Sequence, residues 1–387
     1  MDTAQLIDSL NREHWSPRLQ RVYFTENSAV FLAGTDAASS LSSDGRKFHK
    51  PIMSVVQDEA YTPGVDINLS QIEAEDQELV VDQRRSASAY IDDVSIRQNY
   101  YSAVNRVAQD ITSRHNNRIE QHFLAQVADA ENTIDIGTLD PTNSIDVVND
   151  GHSRLDSNDV PNMNRVMVVG PKTAGVYRKT SYQRETMLGD NAYANGVVMS
   201  KLGIPFVINN NLPWTATLDL STNPTAGDTI TVEGVVFTFV AAVGTTPGNV
   251  LIGANAAATR ANFKAALEGG AGAGTTYVPV VRKKRFTLSK RAITVTTDAQ
   301  AVFNGFGDIS VAETLSAGNG FTKQEGSLWF GMRGATDLVV QLPGSVEFTR
   351  KERGHGTIAK GLALYGAKTF EDGAIALVNM KHDTSWF

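Results

Sequence analysis

The sequence predicts an α+β protein built on one long helix, and three observations carry that prediction. No Pro or Gly interrupts the chain from Asp93 to Ala130. Within it Tyr100, Val104, Val107, Ile111, His115, Ile119, Phe123 and Val127 recur at three- and four-residue steps, the spacing of one helical face. Elsewhere short runs alternate apolar and polar residues, as in Val65-Asp66-Ile67-Asn68-Leu69 and Val346-Glu347-Phe348-Thr349-Arg350, the mark of half-buried strands. Composition then changes at about residue 214. Residues 214–325 hold 13 of the 32 Gly in a strand–turn–strand pattern, which reads as a small β-rich domain set into a host.

The chain's 387 residues suffice for two or three domains and a substantial core. Apolar residues make up 41% and charged residues 20%, as in a globular chain. The net charge of −7 argues against a basic nucleic-acid binder. The absence of Cys removes disulfides, Cys-ligated zinc, iron–sulfur clusters and thiol catalysis together. No apolar run approaches the ~18–20 residues of a membrane-spanning helix. The polar, acidic start Met1-Asp2-Thr3-Ala4-Gln5 is unlike a secretory signal peptide.

In chain order, residues 1–45 read as an arm. Leu6, Ile7 and Leu10 mark a short amphipathic stretch, and the small polar run from Gly34 to Gly45 orders only against something else. Residues 46–91 read as a long β-excursion, with a turn at Tyr61-Thr62-Pro63-Gly64. From Asp66 to Asp93 eight acids face two bases, a local net of −6. That run is either a solvated strand face or an acidic strip that awaits a basic partner. Asp92 or Asp93 can cap the long helix. Residues 131–165 are rich in Asp, Asn and Ser and read as loop with a short helix. Arg165–Gly170 and Gly203–Ile208 read as buried strands, with a helix opening at Pro171. In the 214–325 segment Glu233-Gly234 joins two alternating strands as a tight hairpin. Ala257–Leu267 then reads as a helix, and Val278–Val281, Phe286–Leu288 and Ala292–Thr296 read as strands. Strands at 328–333, 337–341, 346–350, 358–365 and 374–378 close the chain, the last after a Glu371-Asp372-Gly373 turn.

No catalytic constellation emerges. Gly170-Pro171-Lys172-Thr173 lies between a strand and a helix, as in a phosphate-binding loop. The position that loop needs as its first Gly is Arg165, and Pro171 has no N–H to offer. Gly269–Gly274 reads as a flexible loop. His115 and His122 are seven apart, which suits a helix surface or interface better than a metal pair. No Gly-x-Ser-x-Gly occurs. Arg282-Lys283-Lys284-Arg285, with Lys290-Arg291 nearby, is the one basic cluster. It reads as a solvated or acid-pairing face rather than a nucleic-acid site. No catalytic residue, cofactor or metal is therefore expected, and an enzyme is not.

The order of these pieces, with three segments, carries a family resemblance. The segments are Leu202-Gly203-Ile204-Pro205-Phe206-Val207-Ile208-Asn209-Asn210-Asn211-Leu212-Pro213, Ser327-Leu328-Trp329-Phe330-Gly331-Met332-Arg333-Gly334-Ala335, and Tyr365-Gly366-Ala367-Lys368-Thr369-Phe370-Glu371-Asp372-Gly373-Ala374-Ile375-Ala376-Leu377-Val378. Over residues 1–213 and 326–387 the chain resembles the major capsid proteins of tailed double-stranded DNA bacteriophages, which have the Hong Kong 97-like fold. Asp228–Val240 and Ala257–Phe263 resemble small β-rich domains of phage virion proteins.

The resemblance implies an N-terminal arm (1–45), an extended β-loop (46–91) and a peripheral domain with the spine helix (92–165 and 343–366). It implies an axial domain (166–213, 326–342 and 367–387) carrying an inserted β-rich domain (214–325). It further implies self-assembly into hexamers and pentamers of an icosahedral shell in the host cytoplasm, becoming a virion capsid around packaged, not specifically bound, DNA. Partners so implied are a portal, a decoration protein and, since the arm follows Met1 almost at once, a separate scaffolding protein; no membrane is involved. An encapsulin-like nanocompartment shares the fold, and a phage tail or decoration protein built around 214–325 is a reading of another class. The large insertion favours a virus, while the long helix and closing strands argue against the tail reading. Contacts between copies are expected at Phe48, Tyr61 and Ile67 of the excursion. Glu73, Glu75, Asp76 and Glu78 are expected to meet Arg84 and Arg85, or Arg350, Lys351 and Arg353, of another copy.

Overall fold

The computed structural model describes residues 28–41, 45–54, 56, 58, 60, 63–64, 66, 71–98, 103–182, 200–316, 318–352 and 354–384. The amphipathic stretch at Leu6–Leu10 lies outside these residues. So do Tyr61, Ile67 and Arg353.

The described chain opens with α1 (Ala29–Leu32) and α2 (Asp36–Leu41), which bury Ala29, Leu32, Ala37 and Leu41. The expected irregular stretch is thus partly helical, because Ala37 and Leu41 stand four apart and give α2 an apolar side. β1 (Lys47–Met53) and β2 (Ala74–Val80) pair antiparallel, Lys47 opposite Val80 and Met53 opposite Ala74. Of the strand expected at 65–69 only Asp66 is described. β3 (Gln83–Asp92) runs into α3 (Asp93–Gln98), where Asp92 Oδ2 accepts from the Val94 N–H at 3.0 Å. The long helix α4 (Ala103–Ala125) follows and ends in a 3-10 turn at Gln126–Asp129.

Where mostly loop was expected, the chain forms β4 (Asn132–Gly137) and a 14-residue helix, α5 (Ser144–Ser157). Val147, Val148, Gly151 and Leu155 make its buried stripe, hidden in the composition by the Asp and Asn of the other face. β5 (Arg165–Val169) is buried throughout, α6 (Pro171–Tyr182) starts as expected, and β6 (Ser200–Lys201) pairs with β7 (Ile204–Ile208).

β8 (Pro213–Asp219) precedes the expected hairpin of β9 (Thr229–Val232) and β10 (Val235–Val240). Glu233 and Gly234 turn it with φ of 51° and 72°, both in the left-handed region that such a turn needs. β11 (Asn249–Leu251) and α7 (Ala256–Glu268) follow; Asn255 caps α7 through the Ala258 N–H at 2.8 Å. The expected strand at Phe286–Leu288 is instead part of helix α8 (Arg282–Lys290), whose Arg285 and Leu288, three apart, turn inward. β12 (Thr294–Val295), β13 (Gln300–Phe306), β14 (Val311–Glu313) and β15 (Gly320–Met332) complete the segment and re-enter the host. The runs at 337–341 and 346–350 belong to one strand, β16 (Thr336–Arg350), followed by β17 (Gly356–Thr369). The expected Glu371–Gly373 turn is a short helix, α9 (Glu371–Ile375), so the last strand, β18 (Leu377–Asp383), starts later than expected.

The chain forms two compact units. In the first, residues 84–116 and 342–364, sheet order is β16-β17-β3. Its helical part packs onto two strand glycines. A Cβ on Gly361 would lie 2.7 Å from Ile111 Cγ2, and one on Gly344 would lie 2.8 Å from His115 Cβ. His115, expected at a helix surface or an interface, is buried within its own unit, and burial holds its imidazole below the usual pKa.

The second unit, residues 25–83, 117–341 and 365–387, carries a nine-stranded sheet in the order β12-β13-β8-β15-β5-β7-β6, with β18 on β15 and β4 on β18. A four-stranded sheet, β11-β10-β9-β14, stands beside it. Phe263 of α7 bridges the two, its ring centroid 5.5 Å from Phe237, 5.9 Å from Phe239 and 6.0 Å from Phe303. The 214–325 segment thus has a core of its own, yet β8, β13 and β15 run in the host's sheet. No described helix is long and apolar enough to cross a membrane. Phe263→Ala should cost about 3–5 kcal/mol by cavity formation, read as a lowered urea midpoint with an unchanged slope.

Candidate assembly surfaces

Glu120 of α4 is fully buried, and four donors converge on its carboxylate. Ser28 donates its N–H (2.6 Å) and its hydroxyl (3.0 Å) to Oε1. Asn209 Nδ2 donates to Oε1 at 2.7 Å, and Asn211 Nδ2 to Oε2 at 2.6 Å. Asn209 Oδ1 in turn accepts the Asn211 N–H at 2.8 Å. A buried carboxylate with so many donors is stable without a cation. It ties the start of the described arm and the β7–β8 junction to the helix. Neighbouring Gln121 donates to Asn211 Oδ1 (3.3 Å) and to the Lys290 carbonyl (3.1 Å), which carries the network to α8.

The arm is held again further on. Arg333 lies 3.8 Å over the Phe31 ring and donates from Nε to the Phe31 carbonyl at 2.9 Å. Gly34 donates to the Thr336 carbonyl at 2.8 Å and bridges to Asp337. A Cβ at position 34 would lie 2.0 Å from Asp337 Oδ1, so any larger residue would have to displace the Asp337 carboxyl. Asp337 is buried, and that burial raises its carboxyl to about 6, opposed by Lys50 and reinforced by Asp36 and Asp372.

The β1–β2 hairpin is anchored at its base. Leu79 is fully buried, and Phe48 meets Phe370 edge-on at 6.2 Å. Lys50 pairs with Asp372 at 2.6 Å. Gln77 donates to Glu371 Oε2 (3.1 Å) and accepts the Glu371 N–H (3.0 Å). Beyond this seat the cover stops: every described residue from Met53 to Asp76 is exposed, Met53, Val56 and Ile72 among them.

Several residues expected to meet another copy are engaged within the chain. Glu78 pairs with Lys47 and Asp76 with His49, each at 2.6 Å. Arg350 pairs with Asp93 at 2.5 Å, and Lys351 lies 4.9 Å from the Tyr90 ring centroid. These are exposed contacts, screened by solvent and weak. Glu73, Glu75, Arg84 and Arg85 are exposed and make no ion pair with a described residue.

The phosphate-loop lookalike is occupied from within. Asp308 Oδ2 accepts the Lys172 N–H at 2.7 Å, so a carboxylate of the chain already sits at the start of α6. Burial raises the Asp308 carboxyl, against the Lys172 N–H and the charges of His382, Lys172 and Arg291. Arg165 is buried, its guanidinium donating to Asp156 (2.6 Å) and to the carbonyls of Val160 (2.6 Å) and Pro161 (3.2 Å). In the Gly269–Gly274 stretch, Gly269 takes the left-handed cap of α7, and Tyr277 donates to the Gly270 carbonyl at 2.6 Å. His122 meets the Tyr365 ring at 5.6 Å. Among the described residues no three His, Asp or Glu side chains are arranged to hold a metal ion.

Sequence reasoning missed Glu120, Asp308 and Asp337. Glu120 and Gln121 adjoin the apolar stripe of α4, and the Asn209–Asn211 run was the one visible hint of buried amides.

No protein-family profile and no curated protein sequence matches the chain. Solved structures do. The structure of Mycobacterium phage Che8 matches with TM-score 0.60 and 14% identity over 96% of this chain and 97% of that one. The capsid structure of cyanophage P-SCSP1u matches with TM-score 0.57 and 14% identity over 97% and 94%. The asymmetric unit of the mature capsid of bacteriophage PhiM1 matches with TM-score 0.54 and 11% identity over 96% and 92%. The chain has the α+β, Hong Kong 97-like fold.

Glu120→Ala should take the acceptor from four donors, of which the buried Asn211 Nδ2 is left unpaired at a cost of about 1–3 kcal/mol. Limited proteolysis should then cut within residues 28–41, ahead of global unfolding. Asp337 binds its proton in the folded state up to about pH 6 and in the unfolded state only near the ordinary value of 3.8. Between those values the folded state holds more protons, so this group lowers stability as pH rises through the window, by about 3 kcal/mol. Asp337→Asn should therefore raise the melting temperature at pH 7–8 and converge with the parent below about pH 4.

Proposed function

We propose that this chain is the major capsid protein of a tailed double-stranded DNA bacteriophage, assembling as hexamers and pentamers of an icosahedral virion shell. The observation that carries the reading is the fold match, which spans 96–97% of this chain and 92–94% of two phage capsid chains. The hairpin supports it from the energetic side. A two-stranded ribbon is marginal by itself in water, and here its outer half finds no cover within its own unit. Covering Met53, Val56 and Ile72 with a neighbouring copy would contribute about 1.5–3 kcal/mol per side chain. A closed shell repeats that gain at every copy. The net charge of −7 suits a wall that encloses DNA without gripping it. On this reading scaffolding and portal proteins are the partners of assembly in the host cytoplasm, and a decoration protein is a further partner of the finished shell. The role of the chain is structural.

Electron microscopy of the full chain, expressed alone and with its neighbouring genes, tests the reading. Closed polyhedral shells, or capsomer rings that close with a partner, are the expected result. A monodisperse monomer under every condition would overturn it. Small uniform shells filled with a protein cargo would replace it with a nanocompartment.

A further inference from the structure

The first turn of α8 carries Arg282, Lys283 and Lys284, all exposed. None is ion-paired with a described residue, and the turn contains no acid. Three cations here oppose the positive end of the helix dipole, an unfavourable local arrangement that no ion pair with a described residue offsets. The other end of α8 is fixed. The Ser289 carbonyl accepts Arg118 Nη2 at 3.0 Å, and the Lys290 carbonyl accepts Gln121 Nε2 at 3.1 Å. Arg285 turns inward to the Ala266 carbonyl at 3.1 Å. The basic end is therefore presented by a held helix, with Val281, 59% exposed, beside it. This is the basic concentration of a segment with net charge +1, in a chain whose remainder carries −8.

The outer half of the β1–β2 hairpin has the opposite character. Asp58, Asp66, Glu73 and Glu75 are exposed and make no ion pair with a described residue, whereas Asp76 and Glu78 nearer the base are paired. Met53, Val56 and Ile72 are exposed among them. An acidic, partly apolar ribbon and a cationic patch with an apolar flank are complementary surfaces.

We propose that the cationic start of α8, with Val281, docks the acidic outer half of the β1–β2 hairpin of a second copy of this chain. The inference rests on the shell reading. It assigns the inserted segment the task of clasping a neighbour's hairpin.

The chain has no Cys, so cross-linking sites can be introduced cleanly. Glu75→Cys and Lys283→Cys chains, made separately, would be mixed, assembled and treated with a short bismaleimide. A 75–283 cross-link, identified by mass spectrometry in assembled particles, is the expected result and can arise only between copies. R282E/K283E/K284E should lower the assembled fraction at least about tenfold by like-charge apposition, and adding E73K/E75K should restore it. Assembled particles without the 75–283 link, or with assembly untouched by the triple reversal, would overturn this inference and leave the shell reading standing. A monomer in every arm would overturn both. Triple reversal that strips bound nucleic acid while leaving assembly unchanged would reassign the patch to nucleic acid.

Discussion

One buried carboxylate fixes how the larger unit is put together. Glu120 cannot sit in the interior unless hydrogen bonds replace its water, because an unpaired charge there costs several kcal/mol. The replacements come from the arm at Ser28 and from the β7–β8 junction at Asn209 and Asn211. Any rearrangement that moved the arm, the junction or the helix alone would strand a charge or its donors. The neighbouring Gln121 extends the same logic to α8 of the inserted segment. A polar network of this kind contributes less to raw stability than to uniqueness, since apolar contacts alone would tolerate sliding.

The body of the larger unit and its hairpin stand in contrast. In the body, charged groups are matched: Asp308 meets the start of α6, and Arg165 meets Asp156 and two carbonyls. In the hairpin no described acid beyond Asp76 is ion-paired, and the described residues there, Met53, Val56, Asp58, Asp66, Ile72, Glu73 and Glu75 among them, are exposed. The contrast is one of degree, since buried polar atoms such as Trp329 Nε1 and Asn379 Oδ1 also lack a hydrogen-bond partner among the described residues. Exposed Met53 and Ile72 are tolerable in a monomer because the carboxylates beside them keep the ribbon solvated and discourage indiscriminate pairing at its edges.

Much of the fold was legible in local pattern. The unbroken helical periodicity before Ala130 gave α4, and Glu233-Gly234 gave the β9–β10 turn, because only a few residue pairs accept positive φ twice in succession. The failures are equally physical. α5 was read only as a short helix within loop because its buried stripe uses Val147, Val148, Gly151 and Leu155 among Asp and Asn. α8 looked like a strand because its packing depends on Leu288 reaching a core assembled from distant strands. The burial of His115 was not legible because the glycines that admit it, Gly344 and Gly361, lie more than two hundred residues away. Of the surface residues named for contacts, the sequence located the acidic ribbon but not which acids were already matched to Lys47 and His49.

The amino-acid sequence by itself determined the elements whose cause is local: periodicity, turn chemistry, and the order of arm, ribbon, long helix and β-rich insertion. That order suffices to specify the α+β fold. The tertiary structure alone decided which polar groups meet. Ser28, Asn209 and Asn211 stand 89 to 92 residues from Glu120, and such pairings leave no periodic trace in the chain. It also decided that the inserted segment shares the host's sheet, and which half of the ribbon is left uncovered. Both are matters of where surfaces run out, and a surface exists only once the chain has folded.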